Sequence, residues 1–230
     1  MQNRADAPIL HTANCADMED DMISREELEG AFDERFPAHI RDKLKNASVA
    51  IAGLGGLGSN IAVMLARSGV GHLFLVDFDV VDTTNLNRQV YMIPHIGIPK
   101  TEALTRILKD INPYLNITSK QIKVDENNIQ SLFCGYPIVC EAFDKPEQKA
   151  MLVTGLLTKL KDTVVVSGNG MAGFSDANQI TTMKKMSRLY VCGDRTTDVG
   201  ESIGLMAPRV AVCAGHQANK VIQLIIESEN

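Results

Sequence analysis

Short apolar runs alternate along this chain with segments whose apolar residues recur every three or four positions. Ser48-Val-Ala-Ile51, His72-Leu-Phe-Leu-Val76, Pro137-Ile-Val-Cys140 and Thr163-Val-Val-Val166 read as strands buried on both faces. Ile117–Val124 alternates as a half-buried strand does. Between these runs lie helical patterns over 59–67, 99–110 and 146–160. The second carries Leu104, Ile107, Leu108 and Ile111 on one face and begins at Pro99. Ser24-Arg-Glu-Glu27 is a capping box that starts a helix over about 25–35, and a second short helix follows Pro37 over about 38–45. Residues 178–192 read as two strands joined by a turn, and a last helix spans about 208–227 with Val210, Val221, Leu224 and Ile225 inward.

Strands alternating with helices predict an α/β fold. The expected form is a Rossmann-like, doubly wound, mostly parallel sheet with an antiparallel extension and short N-terminal helices. In such sheets ligands bind beyond the carboxyl ends of the strands, where the strand order reverses.

Composition narrows the picture. The 230 residues are 45% hydrophobic and carry 23 basic against 28 acidic side chains, a net charge of −5. A nucleic-acid partner is not expected from that balance. No apolar run approaches the roughly 20 residues a membrane helix needs, and no basic-then-apolar leader opens the sequence, so the expected compartment is the cytoplasm. The five cysteines include no Cys-x-x-Cys pair, so neither a zinc clip nor a disulfide framework is expected.

The chemistry starts at Gly53-Leu-Gly-Gly-Leu-Gly58, placed between a strand and a helix. Glycines let the backbone approach phosphate, and a helix start offers unpaired amides with partial positive charge. Gly53, Gly55, Gly56 and Gly58 are therefore candidate nucleotide contacts. Asp77, at the end of the second strand, stands where an acid takes ribose hydroxyls, and Asp79 lies on the same side of an extended chain. A nicotinamide-binding oxidoreductase fits these features equally well. The segment downstream favours a triphosphate. Asn85-Leu-Asn-Arg-Gln89 concentrates amide and guanidinium donors, Lys100 opens a helix and Asp144 follows a strand. Arg88 and Lys100 supply cations for phosphates, and Asp144 supplies a carboxylate for Mg²⁺.

These residues resemble the ThiF/MoeB/HesA family of ubiquitin-activating-enzyme-like adenylyltransferases, and most the short ThiF branch of thiamine biosynthesis. The resemblance rests on Gly53–Ser59, Ser68-Gly-Val-Gly71, Asp77-Phe-Asp79, Asn85–Gln89, Gly97-Ile-Pro-Lys100 and Asp144. It extends through Asn169-Gly-Met-Ala-Gly173, Leu189–Asp194 and Gly204–Arg209, covering about residues 31–228. It implies a reaction in which the C-terminal Gly-Gly carboxylate of a ubiquitin-like sulfur carrier, ThiS-like, attacks the α-phosphate of Mg-ATP. The products are an acyl-adenylate and pyrophosphate. By motif position Asp77 would hold ribose, Asn85, Arg88 and Gln89 the phosphates, Lys100 the pentavalent phosphorus and Asp144 the Mg²⁺. The resemblance also implies a homodimer in which one subunit lends the other an arginine from before the first strand; Arg35 is the candidate preferred over Arg41. A cysteine desulfurase is a further implied partner. Cys192 is a candidate sulfur-transfer residue, because longer relatives link a cysteine to the carrier.

The domain reading follows. Residues 1–24, with the acidic run Met18–Met22, form a flexible arm. Residues 25–230 form one adenylyltransferase domain: N-terminal helices over 25–46, a nucleotide-binding core over 47–170 and a carrier-binding region over 171–230. Within the family the carrier could equally serve molybdopterin or another thiolation pathway. A non-catalytic module that keeps the fold is another alternative.

Overall fold

The computed structural model describes residues 23–197 and 204–228. Seven strands form one sheet: β1 (Ser48–Ala52), β2 (His72–Asp77), β3 (Asn116–Gln121), β4 (Ile138–Glu141), β5 (Val164–Gly168), β6 (Thr181–Met186) and β7 (Leu189–Gly193). Their order is β3-β2-β1-β4-β5-β7-β6. All neighbours are parallel except β6, which runs antiparallel to β7 at the edge. The Rossmann-like reading and its antiparallel extension are therefore both present. The chain builds outward from β1 to β3, then returns to place β4 on the other flank of β1. The strand order thus switches between β1 and β4, and the ends of these two strands define the ligand crevice.

Period-two alternation sorts the strand side chains between two cores. Val49 and Ile51 of β1 face one side, with Leu73, Leu75, Cys140 and Val166. That face is covered by α3 (Gly56–Arg67), α4 (Lys100–Ile111) and α7 (Ala207–Glu227). Ala50 and Ala52 face the other side with Phe74, Val76, Val139 and Val165, under α5 (Ile129–Phe133) and α6 (Pro146–Lys159). The small alanines of β1 leave room there for Phe74 and Phe133, which meet edge to face at 6.2 Å.

The N-terminal helices are α1 (Arg25–Asp33) and α2 (Ala38–Asn46). The expected capping box closes α1: the Glu27 amide donates to Ser24 Oγ, and the Ser24 amide to Glu27 Oε2. α1 buries none of its residues, whereas α2 buries Leu44 and Arg41. Of the expected acidic arm, residues 1–22 lie outside the described residues. Ile23 already belongs to the fold, its carbonyl accepting from the Tyr114 hydroxyl.

Two boundaries and one short helix differ from the sequence pattern. α3 starts at Gly56 rather than Ser59, because the glycine turn runs straight into the helix. β3 ends at Gln121; Val124 is buried, but in the loop under α5, where it packs in the second core. The short helix α5 is absent from the sequence reading, since five residues give too little periodicity. The described residues from 171 to 197 and from 204 to 228 extend the same sheet and core: β7 pairs with β5, and α7 packs along α3. Among the described residues no helix is long and apolar enough to cross a membrane.

Candidate nucleotide site

At the ends of β1 and β4 lies a cavity of about 820 Å³. The glycine turn forms its floor. Gly53 has φ +89°, the left-handed region that glycine enters without a Cβ penalty. A Cβ at Gly53 would lie 2.8 Å from the Ala142 carbonyl oxygen. Gly55 is the N-cap of α3 and caps it with no side chain. The first intrahelical bond runs from the Ser59 amide to the Gly55 carbonyl, so the first-turn amides remain available to an anion. Gly58 does another job: it does not line the cavity, and a Cβ there would collide with the Gly53 carbonyl. Gly58 therefore lets α3 close on β1.

Asp77 is buried at the end of β2 and braces this turn. Its Oδ2 accepts from the Leu54 amide (2.6 Å) and its Oδ1 from the Asp79 amide (2.8 Å). Burial raises the Asp77 carboxyl pKa, with nearby Lys100 and these amides opposing. Asp79 pairs with Lys100 Nζ at 3.0 Å, and Lys100 is only 6% exposed at the start of α4. This pairing directs a buried ammonium group into the cavity. The Tyr91 hydroxyl adds a further tie by donating to the Leu54 carbonyl (2.8 Å).

The segment 85–89 hangs over the cavity and is fastened to α3. Asn60 Nδ2 donates to the Arg88 carbonyl (3.1 Å), and the Val90 amide donates to Ser59 Oγ (3.4 Å). Asn85 Oδ1 accepts from the Asp82 amide. Arg88 Nη1 donates to the Thr84 carbonyl and to Asn87 Oδ1. Gln89 is buried, and its Oε1 has no hydrogen-bond partner.

The opposite wall comes from the end of β4. Asp144 is exposed at the cavity, three residues beyond Glu141. Glu141 itself was missed by the sequence reading, as were Lys149 and Ser167, which bond to it. The signal lay in an acid ending the apolar run Ile138-Val-Cys.

The structure thus brings Gly53, Gly55, Gly56, Asp77 and Asp79 to one cavity with Asn85, Arg88, Gln89, Lys100 and Asp144. Besides Gly58, three expected residues stand apart: Arg35, Arg41 and Cys192. Arg35 is exposed just past α1 and does not line the cavity, so within one chain it does not join the site. Arg41 is buried in its own chain, its guanidinium over the Phe32 ring and its Nε 3.4 Å from Asp33. The placement of Cys192 lends the expected sulfur-transfer role no support. The residue is wholly buried in β7, does not line the cavity and has a thiol pKa raised by burial. A sulfur-transfer thiol must be reachable and readily ionised, and Cys192 is neither. The Thr182 hydroxyl lies 3.4 Å from its Sγ and 3.1 Å from His216 Nδ1, which gives that histidine a structural partner.

A glycine turn at the switch point of a parallel sheet, facing a carboxylate, a buried lysine and an arginine, defines a Rossmann-like domain with a candidate nucleotide site. The comparisons give the family. Residues 30–230 match the ThiF family, and the chain belongs to it. It is 32% identical over 195 residues to the molybdopterin-synthase adenylyltransferase of Salmonella typhimurium, covering 83% of this chain and 77% of that one. It is 38% identical over 133 residues to the adenylyltransferase and sulfurtransferase UBA4 of Candida glabrata, covering 57% of this chain but only 30% of that longer protein. Its relatives are thus enzymes named as adenylyltransferases. The fold matches E. coli tRNA N6-threonylcarbamoyladenosine dehydratase, TcdA, solved in complex with ATP, with TM-score 0.79 at 22% identity over 89% of this chain and 96% of that one.

Proposed function

We propose that this protein adenylylates the C-terminal carboxylate of a ubiquitin-like sulfur-carrier protein at the expense of ATP. The observation that carries the reading is the convergence of the glycine turn, Arg88, Lys100 and Asp144 on one cavity at the sheet's switch point. The cavity volume suits a nucleotide with room for an extended peptide end.

The residues divide the work by charge. Asp77 takes the ribose hydroxyls with the lone pairs its two amide bonds leave free. The first-turn amides of α3 and the donors of Asn85, Arg88 and Gln89 orient the phosphates. Lys100, held by Asp79, faces the α-phosphorus, where negative charge gathers on the equatorial oxygens. A carrier carboxylate oxygen forms the new bond to that phosphorus. The bond from the phosphorus to the bridging oxygen breaks, and pyrophosphate leaves with the electron pair. No protein nucleophile takes part, and no oxidant is required. Catalysis is by alignment and charge stabilisation.

Among the described residues no group of three or more His, Cys, Asp or Glu side chains could cage a metal. Asp144 still fits Mg²⁺, which at such sites is bound through one or two carboxylates plus substrate phosphates. When bound, Mg²⁺ would neutralise charge on the departing pyrophosphate.

We infer further that the carrier is ThiS-like and its product feeds thiazole synthesis. The Salmonella typhimurium relative, a molybdopterin-synthase adenylyltransferase, supports a molybdopterin carrier as the second reading. The protein would act as a homodimer in which Arg35 of each subunit serves the other. The region 171–230 would receive the carrier, and a cysteine desulfurase would follow. ATP–pyrophosphate exchange with Mg²⁺, measured against purified ThiS-type and molybdopterin-type carriers ending in Gly-Gly, tests the proposal. Exchange should depend on one carrier. ATP binding without exchange on any carrier would refute the proposed activity, and absence of ATP binding would refute the nucleotide site itself.

A further inference from the structure

Glu141, the last residue of β4, is wholly buried. Its Oε1 accepts from the Phe143 amide (2.8 Å) and Lys149 Nζ (2.9 Å). Its Oε2 accepts from Lys149 Nζ (2.7 Å) and Ser167 Oγ (2.5 Å). One carboxylate therefore joins three elements: the turn after β4, the first part of α6 and the end of β5. Gln217 of α7 clamps the same strand end from the other core, its Nε2 donating to the Glu141 (3.2 Å) and Val166 (3.1 Å) carbonyls.

Stability alone does not account for a buried ion pair, since an apolar pair of similar volume packs as well or better. Its location is informative. The turn 142–145 is strung between Glu141 and Lys149, and it carries Asp144. Asp144 makes no side-chain hydrogen bond or ion pair among the described residues. Its place at the cavity is therefore fixed only by the backbone on which it stands. That backbone is fixed at one end by the Phe143 amide bond to Glu141 and at the other by Lys149. Two hydrogens of the Lys149 ammonium group are directed to Glu141.

We propose that the Glu141–Lys149 pair is the positioning unit of the site, setting the Asp144 turn so that its carboxylate meets the Mg²⁺ of the bound nucleotide. This rests on the nucleotide reading above. Lys149 and Glu141 act through Asp144 and touch neither metal nor phosphate. Partners of this kind behind a metal-binding group alter metal affinity by about ten- to a hundredfold when removed.

The test is calorimetric binding of ATP to the whole chain, with Mg²⁺ and with excess chelator. Lys149→Met should weaken Mg-ATP binding about tenfold or more and change metal-free ATP binding by less than about threefold. Lys149→Arg should restore Mg-ATP binding to within about threefold, because a guanidinium keeps the charge and can donate to both Glu141 oxygens. Adding Lys149→Met to Asp144→Ala should cost nothing further, as two changes along one line of action do not add. If Lys149→Met alone fails to fold, the paired change Glu141→Leu with Lys149→Met removes the uncompensated charge and should show the same Mg²⁺-selective loss. Equal loss with and without Mg²⁺, or losses that add to those of Asp144→Ala, would overturn the inference, as would wild-type Mg-ATP affinity in either variant. A wild-type protein that binds no ATP at all would instead overturn the nucleotide reading beneath it.

Discussion

A methyl group on Gly53 would stand 2.8 Å from the carbonyl oxygen of Ala142 and 2.9 Å from the ring of Phe143. The two halves of the site, one following β1 and the other following β4, meet at that point. The bareness of Gly53 allows the glycine turn and the Asp144 turn to share one cavity. Gly53→Ala should combine this clash with a disfavoured positive φ. Overpacking of this kind costs about 1–3 kcal/mol. Urea unfolding should show the loss, and ATP affinity should fall with it.

Lys100→Ala and Asp144→Ala should each depress carrier-dependent exchange by about a hundredfold or more, the scale of losing one preorganised charge. They should differ in stability. Asp144 is exposed, so its removal should leave the melting temperature unchanged. Lys100 is buried against Asp79 and Asp77, so its removal should lower it. Exchange and thermal melts on the same preparations check both statements.

If Arg35 serves the partner subunit, Arg35→Ala and Asp144→Ala should complement each other. Each would be inactive alone, and a re-equilibrated mixture should recover about a quarter of wild-type activity, because half the dimers would be hybrids with one intact site. No recovery on mixing would remove Arg35 from the site.

Cysteine alkylation should discriminate sharply. Cys134 is exposed, while Cys140, Cys192 and Cys213 are buried. Burial raises the Cys140 and Cys192 thiols and pushes the Cys213 thiol up to about 12. Peptide mass spectrometry after brief maleimide treatment should find Cys134 modified and those three intact until the protein unfolds. Cys192→Ser should leave exchange unaltered.

The buried Arg209–Asp194 pair should shape the acid limb of stability. Burial pushes the Asp194 carboxyl up, but the Thr197 and Thr196 amides, the Thr197 hydroxyl and Arg209 outweigh it, leaving the pKa below its ordinary 3.8. The unfolded chain then binds more protons than the folded one just below that value. The contribution is complete above about pH 4 and is lost as pH falls through the folded pKa. Asp194→Asn should be less stable at pH 7 by about 3–5 kcal/mol, the scale of breaking one side of a buried pair. Its stability should fall less steeply between pH 5 and 3 (both values about one unit either side of the ordinary carboxylate range). Urea midpoints across that range check the slope.

The alternation of strands and helices is written along the chain, because strands buried on both faces must be apolar throughout and helices must carry an apolar stripe. The glycine turn is equally legible, since its spacing suits phosphate whatever surrounds it. Asp77, Arg88, Lys100 and Asp144 were legible because charged residues at strand ends and helix starts stand out from apolar elements. Which of these residues face one another is set by the fold alone. The pairing of β4 beside β1 sets Glu141 beside Ala52 and brings Asp144 to the cavity that Gly53 lines, although about ninety residues separate the two turns in the chain. The division of labour among the glycines was equally hidden: Gly53 admits the far wall, while Gly58 admits only α3. Cys192 illustrates the limit from the other side. The family resemblance makes it a candidate for sulfur transfer, yet packing of α7 over the sheet buries the thiol and raises its pKa. Burial and long-range pairing are properties of the closed chain, set by which surfaces exclude water together, and no local pattern encodes them.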